Sequence, residues 1–138
     1  MTLLQHTLGI IKPTAVTQGH IGDIIACIER AGFRIRALAL TKLSIKDGKN
    51  FYKVHADKPF YEELYNYICS GNVVAMALEK ENAVKDFRKL LGATDPLQAA
   101  PDTLRKKFGI SISENAMHGS DSVENAEKEI AFFFRRRW

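Results

Sequence analysis

The chain has 138 residues, 46% hydrophobic and 26% charged, and a net charge of +4 that suits anionic ligands without choosing among them. Eight Phe and four Tyr give material for one core, so a single domain over 1–138 is expected, neither two domains nor a disordered chain. Charges interrupt every apolar run well short of the about 18 residues a membrane helix needs, residues 1–9 show no secretory signal, and two cysteines make no disulfide framework, so a cytoplasmic protein is expected.

In chain order, Leu8-Gly9-Ile10-Ile11 is an apolar run stopped by Pro13, which predicts a buried strand. Ile21, Ile24, Ile25 and Ile28 recur at helical spacing, with Gly32 placed to end the helix. Phe33 to Leu43 alternates as a strand. Helical spacing returns weakly over Ile45 to Val54 and again at Phe60, Leu64, Tyr67 and Ile68. Cys27 and Cys69 fall in helical segments and read as small buried hydrophobes. Val73 to Leu78 predicts a third strand, and Val84, Phe87, Leu90 and Leu91 a helix ended by Gly92.

Thr94 to Asn115 is irregular, with one helical hint at Thr103 to Phe108. Compact domains seldom keep such a loop without a use. A short strand fits Ala116 to His118, and a last helix Ser122 to Phe134, with Asp121 and Glu124 spaced as a capping box and Val123, Ala126, Ile130 and Phe133 or Phe134 as its stripe. The Arg135-Arg136-Arg137 run reads as a frayed, solvated end. The order βαββαβ with extra helices predicts an α+β fold of the ferredoxin-like kind, an antiparallel sheet covered by helices.

There are four histidines. His6 and His20 have no acid patterned around them, and His55 sits in a turn-rich connection that favours a structural hydrogen bond. His118 differs, because Gly119 and a helix start follow it, and a helix N-terminus favours anions. Glu129 lies two turns into that helix beside its apolar stripe, from where it can face the strand of His118. A carboxylate holding one ring nitrogen leaves the other free as a nucleophile. On the residues alone, a satisfied histidine beside a helix cap is an equal reading.

Lys12 at the end of the first strand, Arg88 flanking its helix stripe and Arg105 in the irregular loop could hold phosphates, though each singly reads as a surface cation. No Walker A run, no G-x-G-x-x-G and no metal-ligand cluster is present.

Asn115-Ala116-Met117-His118-Gly119-Ser120-Asp121-Ser122 resembles the nucleoside diphosphate kinase signature N-x-x-H-G-S-D-S. Ile11-Lys12-Pro13, the stretch from Tyr52 through His55 to Lys58-Pro59-Phe60, Gly92-Ala93-Thr94 and Arg105 match further family motifs over nearly the whole chain. The resemblance implies ping-pong transfer of a γ-phosphoryl group from a nucleoside triphosphate, typically ATP, to a nucleoside diphosphate through phosphohistidine, which maintains NTP and dNTP pools. It implies His118 as nucleophile through its δ nitrogen, Glu129 on the other nitrogen, Ser120 supporting that carboxylate, and Tyr52 ordering the site around Lys12 and His118.

Lys12, Arg88, Thr94 and Arg105 are then expected to bind phosphates, Asn115 and Lys12 the ribose, and Phe60, Leu64 and Ile112 the base. Mg2+ is expected on the nucleotide's own phosphates, with Asp121 at most a partner through water. Stacking on Phe60 gives low base specificity, since every base has a π-face.

Thr14-Ala15 departs from the family's usual Asp or Asn followed by Gly or Ala, which puts the turn behind Lys12 in question. Asp102 replaces a frequent glycine near Arg105. A homo-oligomer built from dimers is implied, with tetramer and hexamer both open. Two other readings stand beside the enzyme: a basic nucleic-acid module, disfavoured because no exposed aromatic pair marks the strands, and an inactive homologue, disfavoured because the matched residues are chemically competent.

Overall fold

The computed structural model describes residues 3–134; the Arg135-Arg136-Arg137 run lies outside the described residues. Strand β1 (Leu4–Ile11) is followed by helices α1 (Pro13–Thr17) and α2 (Ile21–Arg30), then strand β2 (Arg34–Thr41). Helix α3 (Ile45–Phe51), a 3-10 turn at Lys53–His55 and α4 (Tyr61–Ile68) lead to β3 (Val73–Glu81). Helices α5 (Ala83–Leu91) and α6 (Leu104–Phe108), strand β4 (Met117–Gly119) and α7 (Val123–Phe133) complete the order.

The strands form one antiparallel sheet in the order β2-β3-β1-β4, the ferredoxin-like arrangement expected from the sequence. β1 and β3 are central and carry apolar residues on both faces, as strands covered on both sides must. One face packs Ile11, Met76, Leu78 and Met117 against Ile24 and Ile28 of α2 and Phe87 and Leu91 of α5. The other packs Leu8, Ile10 and Ala77 against Tyr52, Ile68 of α4 and Ile130 of α7.

Because side chains alternate across a strand, the pairing Ile10↔His118 and Ile11↔Met117 assigns the two β4 residues to opposite faces. His118 shares the face of Ile10, towards α7. Gly9 pairs with Gly119, and a Cβ on Gly119 would lie 2.8 Å from Leu91 and 3.0 Å from Phe87. A larger residue after His118 would have to push aside the Leu91 and Phe87 side chains of α5.

Several boundaries differ from expectation. β1 starts four residues before Leu8, since Leu4 to Thr7 continue the ladder to β3. β4 is shifted one residue later than Ala116 to His118, because Ala116 takes a left-handed φ of 78° that no strand accommodates. The Lys12-Pro13 turn also begins a short helix, α1, that the sequence did not announce; Pro at a first helical position is pre-organised for it.

The Asp121–Glu124 capping box is not formed. Ser122 is the N-cap and accepts from the Asn125 N–H at 3.1 Å, while Asp121 accepts from the Asn125 side chain at 2.7 Å. Val123 is 39% exposed and so is not part of the buried stripe of α7, which is Ala126 and Ile130. Cys69 is buried but caps α4 rather than lying within it, and Cys27 is only half-buried; both are free thiols.

Candidate active site

β4 delivers His118 beside α7, where its Nε2 lies 2.8 Å from Oε1 of Glu129. The same carboxylate oxygen accepts from the Ser120 hydroxyl at 2.7 Å, and Ser120 in turn accepts from the Leu8 N–H at 3.2 Å. A carboxylate acceptor makes Nε2 the protonated nitrogen, so the Nδ1 lone pair is the one available for chemistry. Both side chains are about four-fifths buried, at 17% and 21% exposure, which limits competition from water.

Phe51, which sequence reasoning overlooked, packs edge-on to the His118 ring at 5.3 Å. It sits between that ring and Phe132 and Phe133 of α7, and fixes the imidazole plane by packing. Its only sequence signal was its place immediately before Tyr52. Tyr52 is itself buried against Phe51. Burial, and then the charge of Glu129, raise its phenol far above the ordinary range, so it remains a protonated neighbour of that carboxylate.

The cations come from separate elements, as expected. Lys12 follows β1, and its backbone N–H donates to the Ala116 carbonyl at 2.8 Å. Its ammonium is buried and donates to Oδ1 of Asn115 at 2.7 Å. Burial, reinforced by Arg105, lowers its pKa to about 7. Asn115 completes the link by donating to the Thr94 carbonyl at 3.2 Å. The left-handed turn at Ala116 lets a single loop offer both its carbonyl and the Asn115 amide to Lys12.

Arg105 donates to the carbonyls of Gly92 at 3.0 Å and Met117 at 3.1 Å, while its Nε is buried without a partner among the described residues. Burial, with Arg88 adding repulsion, lowers its pKa to about 10. Arg88 is exposed on α5, close enough to act on both Arg105 and Asp121. Three cations held this close to one another are costly unless an anion joins them. Asp102 is exposed at the surface of the loop before α6.

Phe60, at the start of α4, is 44% exposed and Ile112 60% exposed. Leu64, one turn along α4 from Phe60, is partly buried against the core. The Ser113 hydroxyl donates to Glu63 at 2.5 Å, which brings the loop of Ile112 against α4. Asp121 is exposed, and its carboxyl is held below the usual range, chiefly by the Asn125 bond and also by Arg88. A single carboxylate among arginines is no cage for a metal ion. It does suit a divalent cation that arrives on phosphates and meets protein through water.

The remaining histidines lie elsewhere. His6 is inside β1 and its Nε2 lies 2.8 Å from Glu79, which also accepts from Arg36; the sequence patterns no acid around it, and strand pairing across 73 positions supplies one. His20 packs on Phe108. The ring of His55 lies near those of Tyr52 and Phe60, and its backbone makes turn hydrogen bonds, donating to the Tyr52 carbonyl and accepting from the Lys58 N–H, each at 2.8 Å.

A family model described as Nucleoside diphosphate kinase matches residues 5–137. Relatives carrying that name include proteins of Chlamydia abortus, 51% identical over 96% of this chain and 94% of theirs, and of Nitratiruptor sp., 53% identical over 97% and 98%. The nucleoside diphosphate kinase of Aquifex aeolicus superposes with a TM-score of 0.94 at 40% identity, covering 96% of each chain. That of Encephalitozoon cuniculi does so with 0.91 at 35% identity, covering 94% of this chain and 88% of its own.

Proposed function

The chain belongs to the nucleoside diphosphate kinase family, and from that premise we propose that His118 is its phosphoryl carrier and that the groups gathered around it form its nucleotide site. A kinase of this family moves a phosphoryl group from a nucleoside triphosphate to a nucleoside diphosphate by way of phosphohistidine. In this chain, the Nδ1 lone pair of His118 attacks the γ-phosphorus of the triphosphate. The bond from phosphorus to the β–γ bridging oxygen breaks, and the nucleoside diphosphate leaves with that electron pair. A β-phosphate oxygen of the second nucleotide then attacks the phosphorus of phosphohistidine and the P–N bond breaks, returning the lone pair to Nδ1.

Glu129 keeps the Nε2 proton in place throughout and stabilises the positive ring of phosphohistidine, with Ser120 holding the carboxylate in line. Lys12, Arg88 and Arg105 neutralise charge on the transferring group, with Thr94 beside them, because phosphoryl transfer demands positioning and electrostatics more than covalent help. Lys12 and Asn115 hold the ribose. Phe60 and Leu64 form one wall for the base and Ile112 the other. A divalent cation such as Mg2+, brought in with the nucleotide, would supply further charge neutralisation, and Asp121 is the carboxylate that would face it.

The single observation that carries this reading is the 2.8 Å bond from Nε2 of His118 to Glu129, which leaves Nδ1 as the reacting nitrogen. The experiment is steady-state turnover of ATP and Mg2+ with a second nucleoside diphosphate. Parallel lines in double-reciprocal plots, abolished in His118→Ala, are expected. Intersecting lines, or full activity in His118→Ala, overturn the proposal.

We further propose a homo-oligomer built from dimers. The edge strand β2 offers unpaired backbone together with Leu38 at 51% and Leu40 at 61% exposure, and edges of that kind pair with another strand or must be blunted. Location in the cytoplasm fits the reaction; among the described residues no helix is long and apolar enough to cross a membrane.

A further inference from the structure

Beside the cations and the His118 assembly lies a hydrogen-bonded chain that has no part in the chemistry above. The Tyr67 phenol donates to Oγ1 of Thr14 at 2.8 Å, the Thr14 hydroxyl donates to Oε1 of Glu114 at 2.7 Å, and the Thr14 N–H donates back to the Tyr67 oxygen at 3.2 Å. The directions are forced. An ionised carboxylate offers no proton, so the Thr14 proton goes to Glu114 and its lone pairs remain for Tyr67. Burial raises the phenol of Tyr67, so that proton stays in the chain.

These three residues belong to three segments that the site needs in register. Thr14 stands two residues after Lys12, Glu114 immediately before Asn115, and Tyr67 on α4 one turn beyond Leu64. Segment 12–14 is therefore joined to segment 114–116 three times: Thr14 to Glu114, the Lys12 ammonium to Asn115, and the Lys12 N–H to the Ala116 carbonyl. Tyr67 ties α4 to the same junction, and the Glu63–Ser113 bond ties it again nearer Ile112. A hydroxyl that at once accepts from α4 and donates to the loop fixes the distance between them.

We propose that Thr14 is a positioning residue: through Glu114 and Tyr67 it holds Asn115 and the α4 wall at a set separation, while Lys12 keeps its own bonds to the loop, and so governs affinity for the nucleoside part of the substrate rather than the rate of phosphoryl transfer. This rests on the nucleotide-site reading of Lys12, Asn115 and Phe60. Thr14→Val keeps the side chain's size and removes both hydroxyl bonds. KM for the nucleoside diphosphate should rise about tenfold, the worth of one or two hydrogen bonds, with kcat changed less than about twofold.

Thr14→Ser, which keeps the hydroxyl, should restore KM. Tyr67→Phe should raise KM in the parent and add little on top of Thr14→Val, because both act on one chain. Should Thr14→Val not fold, Tyr67→Phe carries the expectation of a raised KM and Thr14→Ser that of a KM like the parent's. An unchanged KM, a loss confined to kcat, or a Thr14→Ser no better than Thr14→Val overturns the proposal. Phosphoenzyme formation by the parent with ATP and Mg2+ is followed in parallel: if the parent labels and the KM prediction fails, only the role of Thr14 is lost, whereas an unlabelled parent removes the underlying reading.

Discussion

Lys12 is held against its own charge: a buried ammonium, lowered to about 7 by desolvation and by Arg105. Such a group is half neutral in the nucleotide-free protein near neutrality and becomes more so as pH rises. A polyphosphate favours the charged form, so binding must return the proton. Nucleotide binding at pH 8 is therefore expected to take up a proton, seen as a binding enthalpy that varies with the ionisation enthalpy of the buffer. Lys12→Gln should lose that variation; equal enthalpies in all buffers for the parent would contradict it. The same shift has a sign for stability. Between about pH 7 and the ordinary lysine value the unfolded chain binds more protons, so folding stability contributed by this residue rises with pH over that window.

At the scale of the element, the α5 terminus shows how the site is braced. Gly92 has φ 86°, and a Cβ there would lie 2.5 Å from the Thr103 side chain, while its carbonyl receives Arg105 at 3.0 Å. Gly92→Ala is expected to cost about 1–3 kcal/mol, read as a lower denaturant midpoint, and to raise KM for nucleotide as Arg105 shifts. A midpoint equal to that of the parent would contradict this account. Elements with a strong period were legible in the sequence, such as α2 with its isoleucines and the run of β3, because burial on one helical face or on both strand faces leaves a pattern. Contacts made by pairing distant strands were not. Nothing local announces that Glu79 reaches His6, that Phe51 covers His118, or that Thr14 meets Glu114. The order of the site residues could be read from a resemblance. The left-handed Ala116 that aims Asn115 at Lys12 could not, since alanine gives no hint of a positive φ.

For the whole molecule, the sheet presents β2 as an apolar edge, and Leu38 and Leu40 are the residues that a second copy would cover. Leu38→Glu with Leu40→Glu places charges along that edge, and the mass by light scattering is expected to fall to that of a single chain. An unchanged oligomer, or a parent that is itself monomeric, contradicts the dimer.

The sheet also unites the chemistry. β4 brings His118 to Glu129, β1 brings Lys12 to Asn115, and Arg105 clasps the Met117 carbonyl between them. The most direct measurement is to incubate the protein with ATP and Mg2+, quench in alkali, and locate the phosphoryl group by mass spectrometry and by the phosphorus resonance of the modified ring. One acid-labile phosphoryl group is expected on His118, bonded to its δ nitrogen and absent from His118→Ala. A phosphoryl group on the ε nitrogen, on another residue, or retained in His118→Ala would contradict it.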